Sequence, residues 1–475
     1  MSQSLRQGTL TLAWLTSRLS RSLCVRSVIS SQGVKTDRLS EILGILPKVQ
    51  CRNLSLRRND SYNLESRCHR CPLHNQRFSS SALSWSPKEE DELSRQTKES
   101  PVQSHLPTLP PAETIEELRE KYKCLRKTKK NRFVLRPELA RLVVNKVWPD
   151  GNLAKEKALI VETSPGPGIL TRQLLNSGAP QIVSLEREKP YLPGLGALAS
   201  KATGRLRVMH ADFFAMHYHG TKDLHPPLVR IDKVFEGLKA VPWEADIPIK
   251  VIGSLPHRNE RTQAYLIASQ LLERLSSFKY GRVQFNVFMS EGCYKVISQP
   301  AGNMSKYRAL SALMQMSCDI ELLHSEPQVS FRLPTSSGEA SRTNFSDKDL
   351  SLCLVRLTPK RDLFIKHQLS QHQAFVFVYF VRQVLAKRRQ LMSKMIEAWA
   401  PGHGDIVHDF GYDKETLTGS VNPTDLLRIY MAICHLDSFN GSWMGEDMVG
   451  YASRVLDQEH GVEYDDSLAS RGILL

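Results

Sequence analysis

Three short stretches carry residue types suited to a nucleoside-bearing ligand. The first is Leu159-Ile160-Val161-Glu162-Thr163-Ser164-Pro165-Gly166-Pro167-Gly168-Ile169. An apolar run ends at Glu162, and a helical pattern follows Gly168. Glycine at 166 and 168 permits a sharp turn and close backbone approach to a ligand. The helix start beyond it offers free N–H groups to a polar or anionic group. The second stretch is Ile182–Leu185 with Glu186 at its end, where a carboxylate can bind ribose hydroxyls. The third is Leu206–Met209 followed by Asp212-Phe213-Phe214, a carboxylate for an adenine amino group beside aromatics that can pack on a base. Glu162, Ser164, Gly166, Gly168, Glu186 and Asp212 are therefore the expected cofactor-binding set. The alternative is that these residues only stabilise a strand-to-helix crossover. Ser164 stands where a G-x-G-x-G loop has its first glycine, and fits only if its backbone angle is ordinary. Pro167 stiffens the turn. A dinucleotide fingerprint fits poorly, because its third glycine position holds Thr171.

A fourth apolar run, Ile249–Ile252, ends at Gly253 and leads into Ser254-Leu255-Pro256-His257. His257 could act as an acid or base, but no Cys, Asp or His stands near it at triad or metal spacing. Arg258 and Arg261 favour a nucleic-acid-facing residue instead, with a purely structural role as the next reading. Lys121 to Arg136 is rich in Lys and Arg and holds no acid. Within it Lys127, Lys129, Lys130 and Arg132 are candidate phosphate contacts, together with Arg258, Arg261 and the Lys387-Arg388-Arg389 cluster. Solvated basic faces are the alternative. Cys68-His69-Arg70-Cys71 and His74 lack a second ligand pair at zinc-finger spacing, so a linker with incidental Cys and His is preferred.

The elements that must position these residues alternate. Strand-like runs at 158–162, 182–185, 206–209, 249–252, 283–289, 320–323 and 352–357 are interleaved with helical patterns at 138–147, 171–176 and 263–275. That order predicts an α/β fold, a largely parallel sheet with helices on both faces. From Asp362 onward the pattern is helical, at 374–385 and 423–434. The expected organisation is a targeting segment over 1–36 and a poorly ordered region over 37–110. The α/β domain with basic N-terminal helices covers 111–360, a small helical domain 361–440, and an acidic tail 441–475.

The chain has 475 residues, a formal charge of +15 and nine cysteines. An odd, scattered set of cysteines does not read as a secreted disulfide framework. No run of about 20 apolar residues predicts a membrane span. The positive excess favours polyanions. The first 36 residues carry Arg6, Arg18, Arg21, Arg26 and Lys35 among Leu, Ser and Thr, without an acid. That is the composition of a mitochondrial targeting segment.

Taken together, residues 130–435 resemble the ribosomal-RNA adenine dimethyltransferase superfamily, and within it the mitochondrial transcription factor B2 branch. The resemblance is carried by Glu162–Thr171, Leu185-Glu186, Leu206–Phe214, Ala240-Val241-Pro242-Trp243, Lys250–Arg258, Lys279-Tyr280-Gly281-Arg282, Asn286-Val287-Phe288-Met289 and Leu357–Phe364. It implies a Rossmann-like S-adenosylmethionine (SAM)-dependent methyltransferase domain followed by a small C-terminal helical domain. In the superfamily Gly166 and Gly168 would hold the methionine portion of SAM, Glu186 the ribose and Asp212 the adenine. The reaction motif is Asn-Leu/Ile-Pro-Tyr/Phe, whose Asn oxygen and Pro carbonyl orient the target amine while the aromatic stacks on the extruded base. Here Ser254 replaces the Asn and His257 the aromatic; Pro256 remains. No catalytic residue is therefore expected, and dimethylation is expected to be absent or very weak. The branch implies a transcription initiation factor in the mitochondrial matrix, at the nucleoid. It would help the single-subunit mitochondrial RNA polymerase melt promoter DNA, with mitochondrial transcription factor A and rRNA as further partners. The alternatives are an rRNA adenine N6-dimethyltransferase and a non-catalytic rRNA-binding assembly factor.

Overall fold

The computed structural model describes residues 114–122, 132–216, 229–331, 351–447 and 450. The expected targeting segment, the 37–110 region, the Cys68–His74 group and most of the acidic tail lie outside the described residues.

Seven strands form one sheet in the order β3-β2-β1-β4-β5-β7-β6. They are β1 Leu159–Thr163, β2 Ile182–Glu186, β3 Leu206–His210, β4 Ile249–Ser254, β5 Val283–Ser290, β6 Cys318–Pro327 and β7 Ser351–Pro359. The first five pair in parallel, and β7 runs antiparallel to both β5 and β6. The central strands read as unbroken apolar runs because both sheet faces are covered. Side chains alternate across the sheet. Leu159, Val161, Val251 and Val287 enter one core, while Ile160, Ile252 and Phe288 enter the other.

Among the described residues the α-helices of seven or more residues are α1 Ile115–Lys121, α2 Pro137–Val147, α3 Ile169–Asn176, α4 Leu192–Lys201, α5 Glu260–Glu273, α6 Glu291–Ile297, α7 Ala309–Ser317, α8 Gln371–Ala386, α9 Met392–Trp399 and α10 Pro423–Ile433. Pro137 opens α2 at the one turn where a missing N–H costs nothing, and Leu139, Val143 and Val147 bury its apolar stripe with α3 and α4. Helix α8 starts on a reciprocal cap between Ser370 and Gln373. Its Phe375, Phe377 and Phe380 share one core with Leu271 of α5, Phe285 of β5 and Tyr430 of α10. The C-terminal helices are thus continuous with the core on one face of the sheet. Helix α5 begins at Glu260, three residues before the apolar pattern announces it, because its first turn holds a buried carboxylate. No helix among the described residues is long and apolar enough to cross a membrane.

Candidate functional site at the carboxyl edge of the sheet

Strand β1 sits between β2 and β4, so the chain turns outward on one side and returns on the other. In open α/β sheets the crevice beyond the carboxyl ends of two such strands is where ligands bind. The loop after β1 and Ser254 at the end of β4 both open there. Thr163 lies opposite Gly253 in the ladder. Gly253 has φ +142°, and a Cβ on it would stand 2.3 Å from the Thr163 carbonyl oxygen. The two strand ends can approach this closely only over a glycine. Gly253 was not among the expected site residues, although a glycine inside an apolar strand is the signal of such an approach.

The loop itself is left-handed at Gly166 (φ 59°) and Gly168 (φ 82°), and also at Ser164 (φ 52°). The ordinary backbone angle required of Ser164 is therefore not found. Its N–H donates to the Leu185 carbonyl at 3.0 Å, which holds the strained residue in place; a lone non-glycine in this region costs about 1–2 kcal/mol. Glu162 is fully buried. Its Oε2 accepts from the Thr171 and Ser184 hydroxyls at 2.7 and 2.8 Å, whereas Oε1 meets no donor among the described residues. Burial raises its pKa to about 7, against the pull of those hydroxyls. Glu162 ties strand, loop and helix together.

Glu186 lies at the end of β2 as expected, but its oxygens face the protein. Oε2 accepts the Gly166 N–H at 2.8 Å and Oε1 the Glu188 N–H at 2.7 Å. The side chain is wholly buried, and that burial raises its pKa to about 7. Asp212 accepts the Phe214 N–H at 3.0 Å and lies 3.5 Å from Arg187; burial raises its pKa. Phe213 and Phe214 pack edge-on in the core, Phe213 also against Phe285.

Across this crevice lies the segment Arg132–Leu135. Phe133 rests on Gly166 so closely that a Cβ there would fall 2.5 Å from its ring. Its other neighbour is Tyr191, with ring centroids 5.1 Å apart. Ser254 Oγ donates to the Arg132 carbonyl at 2.9 Å. Arg132 forms a buried ion pair with Glu260, whose carboxylate also accepts the Ser290 N–H at 2.8 Å and the Ser290 hydroxyl. Arg132 was expected to contact phosphate; it is instead an 8% exposed anchor for this strap. Nothing in its sequence neighbourhood, a run of cations, separates it from the others.

Lys127, Lys129 and Lys130 lie outside the described residues. Pro256 is half-buried, and His257, Arg258 and Arg261 are exposed at the rim of the crevice. Lys387 and Arg389 are exposed and Arg388 half-buried. Arg388 Nε donates to the Met304 carbonyl at 2.9 Å, so part of its guanidinium is structural. No group of His, Cys, Asp and Glu that could hold a metal ion occurs among the described residues.

The sheet order and the glycine loop at its switch point define a SAM-dependent methyltransferase frame. The chain belongs to the ribosomal RNA adenine dimethylase family, whose model matches residues 126–433. It is 35% identical over 321 residues to mitochondrial dimethyladenosine transferase 2 of Bos taurus, covering 66% of this chain and 78% of that protein. With the Homo sapiens protein of the same name it shares 31% identity over 290 residues, covering 60% of this chain and 73% of that one. The crystal structure of a Plasmodium falciparum dimethyladenosine transferase overlaps 63% of this chain and 96% of its own, with a TM-score of 0.40 and 12% identity.

The frame is one that holds SAM in general, and the residue types at Gly166, Gly168, Glu186 and Asp212 suit it. In this structure the Gly166 N–H is engaged by Glu186, each Glu186 oxygen accepts one main-chain N–H and keeps a further lone pair, and Phe133 packs on the loop at Gly166.

Proposed function

We propose that this chain is a mitochondrial nucleic-acid-binding member of the dimethylase family that has given up methyl transfer, and that it serves as a transcription initiation factor. In that role it helps the single-subunit mitochondrial RNA polymerase melt promoter DNA and stabilises the open complex. The observation that carries the reading is the closed reaction end. Ser254 is bonded to the Arg132 carbonyl, Phe133 covers Gly166, and the rim residues His257, Arg258 and Arg261 face outward. A methyltransferase must receive both a cofactor and an extruded adenine at this point. A factor that holds a melted strand needs only cationic and stacking groups on the surface. Mitochondrial location is supported by the Arg-rich, acid-poor first 36 residues and by relatives named as mitochondrial.

Run-off initiation by the mitochondrial polymerase, with and without the full chain, tests this on duplex and on pre-melted promoters. The reading predicts stimulation on duplex templates and little on pre-melted ones. Equal yields with and without the chain on both templates contradict it.

A further inference from the structure

Between α2 and the edge strand β6 the surface opens into a groove of about 770 Å³. Helix α2 has two working faces. Leu139, Val143 and Val147 enter the core. Glu138, Arg141, Leu142, Asn145 and Lys146 recur at three- and four-residue spacing and line the groove. Opposite them stand Leu322 and Leu323 of β6. The register of β6 on β7 shifts between Leu322 and His324, leaving one extra residue on β6. That bulge lets two consecutive leucines line one groove, where regular alternation would turn one of them to the other face. Leu323 packs partly against the core, and Leu322 remains 44% exposed. Arg356 of β7 fixes the two walls. Its guanidinium donates to the Lys146 and Val147 carbonyls at 3.1 and 3.0 Å and pairs with Glu321 at 2.8 Å.

The groove is apolar at its floor and cationic at its rim. Arg356 answers the charge of Glu321, and Glu138 sits in the first turn of α2, where the helix dipole favours an acid. Arg141 and Lys146 are exposed, and among the described residues neither meets a carboxylate. Leu142, Leu322 and Leu323 offer a phosphate backbone nothing to bond, but they suit apolar side chains. Carboxylates beside those side chains complement Arg141 and Lys146. Among the described residues no α-helix besides α2 lines the groove. A further helix laid along it would extend the layer that α3 and α2 begin.

We propose that this groove docks an amphipathic helix of a protein partner. Apolar side chains at i, i+3 or i+4, and i+7 seat on Leu142, Leu322 and Leu323, and flanking carboxylates face Arg141 and Lys146. Because Arg356 already holds both walls, little ordering cost falls on this side of the contact. The docking site lies on elements separate from the crevice rim and depends on neither the polymerase nor the nucleic-acid reading.

The test follows binding of two labelled synthetic helical peptides to the full chain by fluorescence anisotropy. Both carry leucines at i, i+3, i+4 and i+7; one has Glu at the flanking positions and the other Lys. The Glu peptide is expected to bind saturably and about tenfold more tightly than the Lys peptide, from two exposed charge pairs. Leu322→Gln should weaken it by about tenfold at unchanged melting temperature, as for an anchor residue of an interface. Trp443→Gln, at another exposed apolar side chain, should leave it unchanged. The Arg141→Glu/Lys146→Glu pair should reverse the preference, so that the Lys peptide binds more tightly. Failure of the Glu peptide to bind saturably overturns the site, as does binding that neither Leu322→Gln nor the charge reversal alters. Weakened binding to a DNA duplex in the charge-reversed pair, with the peptide preference kept, would assign the rim to nucleic acid and overturn it too.

Discussion

The hydroxyl of Ser254 donates a 2.9 Å hydrogen bond to the main-chain carbonyl of Arg132. The residue standing where the family's amine-orienting Asn belongs is thereby turned into a fastening for the strap that crosses its own crevice. Ser254 is 7% exposed, so there is little room for a longer side chain. Ser254→Asn is expected to lower stability by about 1–3 kcal/mol through overpacking. Ser254→Ala is expected to cost about 1 kcal/mol through the unpaired carbonyl. Urea midpoints check both; an Asn variant as stable as the parent would show that the strap yields easily.

Phe133 closes the loop from above. Removing its ring should cost about 3–5 kcal/mol, as for other buried Phe truncations. The same change should strengthen SAM binding. A binding-competent state that is rarely populated weakens apparent affinity by its population, so a loop opened permanently should gain about tenfold or more. Titration calorimetry on the parent and Phe133→Ala reads this directly. Equal affinities would mean that Phe133 does not guard the loop.

The strap is anchored by the buried pair of Arg132 and Glu260. Glu260→Ala strands a buried guanidinium and removes the acceptor for Ser290. The expected loss is about 3–5 kcal/mol, far above a surface ion pair. A cost under about 1 kcal/mol in denaturant melts would contradict the anchoring role.

Glu162 gives a pH signature. Burial raises its pKa from 4.5 to about 7. Between those values the folded state holds a proton that the unfolded state has released. This carboxyl's contribution is therefore fully present below pH 4.5 and is lost as pH rises through about 7. Gln can accept the Thr171 and Ser184 hydroxyls without ionising. Glu162→Gln should match the parent near pH 4 and become the more stable protein above pH 7, by up to about 3 kcal/mol. Paired melts across this range check it. A difference independent of pH would show that Glu162 is already ionised in the folded chain.

At the rim, Arg258→Ala and Arg261→Ala should leave stability within about 0.5 kcal/mol. Each should lower the salt slope for single-stranded DNA by about 0.7. Unaltered slopes would remove these residues from the interface.

Much of this frame was legible in the sequence, for physical reasons. Strands buried on both faces appear as unbroken apolar runs, so β1 to β5 were visible, and the carboxylates closing β1 and β2 marked the loop. Ser254 and His257 could be read against the family motif. What could not be read depended on distant partners. Arg132 looks like its cationic neighbours until Glu260 is placed beside it, and Phe133 shows no relation to Gly166 until the strap is folded across the sheet. The sequence leaves the backbone angle of Ser164 open, and only the observed turn shows it left-handed. The continuity of α8 and α10 with the core beneath α5 likewise follows from packing between residues far apart in the chain.

The chain keeps the family frame and closes its reaction end. The most direct test incubates the full chain with SAM and an adenine-bearing rRNA stem-loop, and measures dimethyladenosine by mass spectrometry. The closed crevice predicts no dimethyladenosine above the level of a no-protein control. Stoichiometric dimethylation of the stem-loop would contradict it.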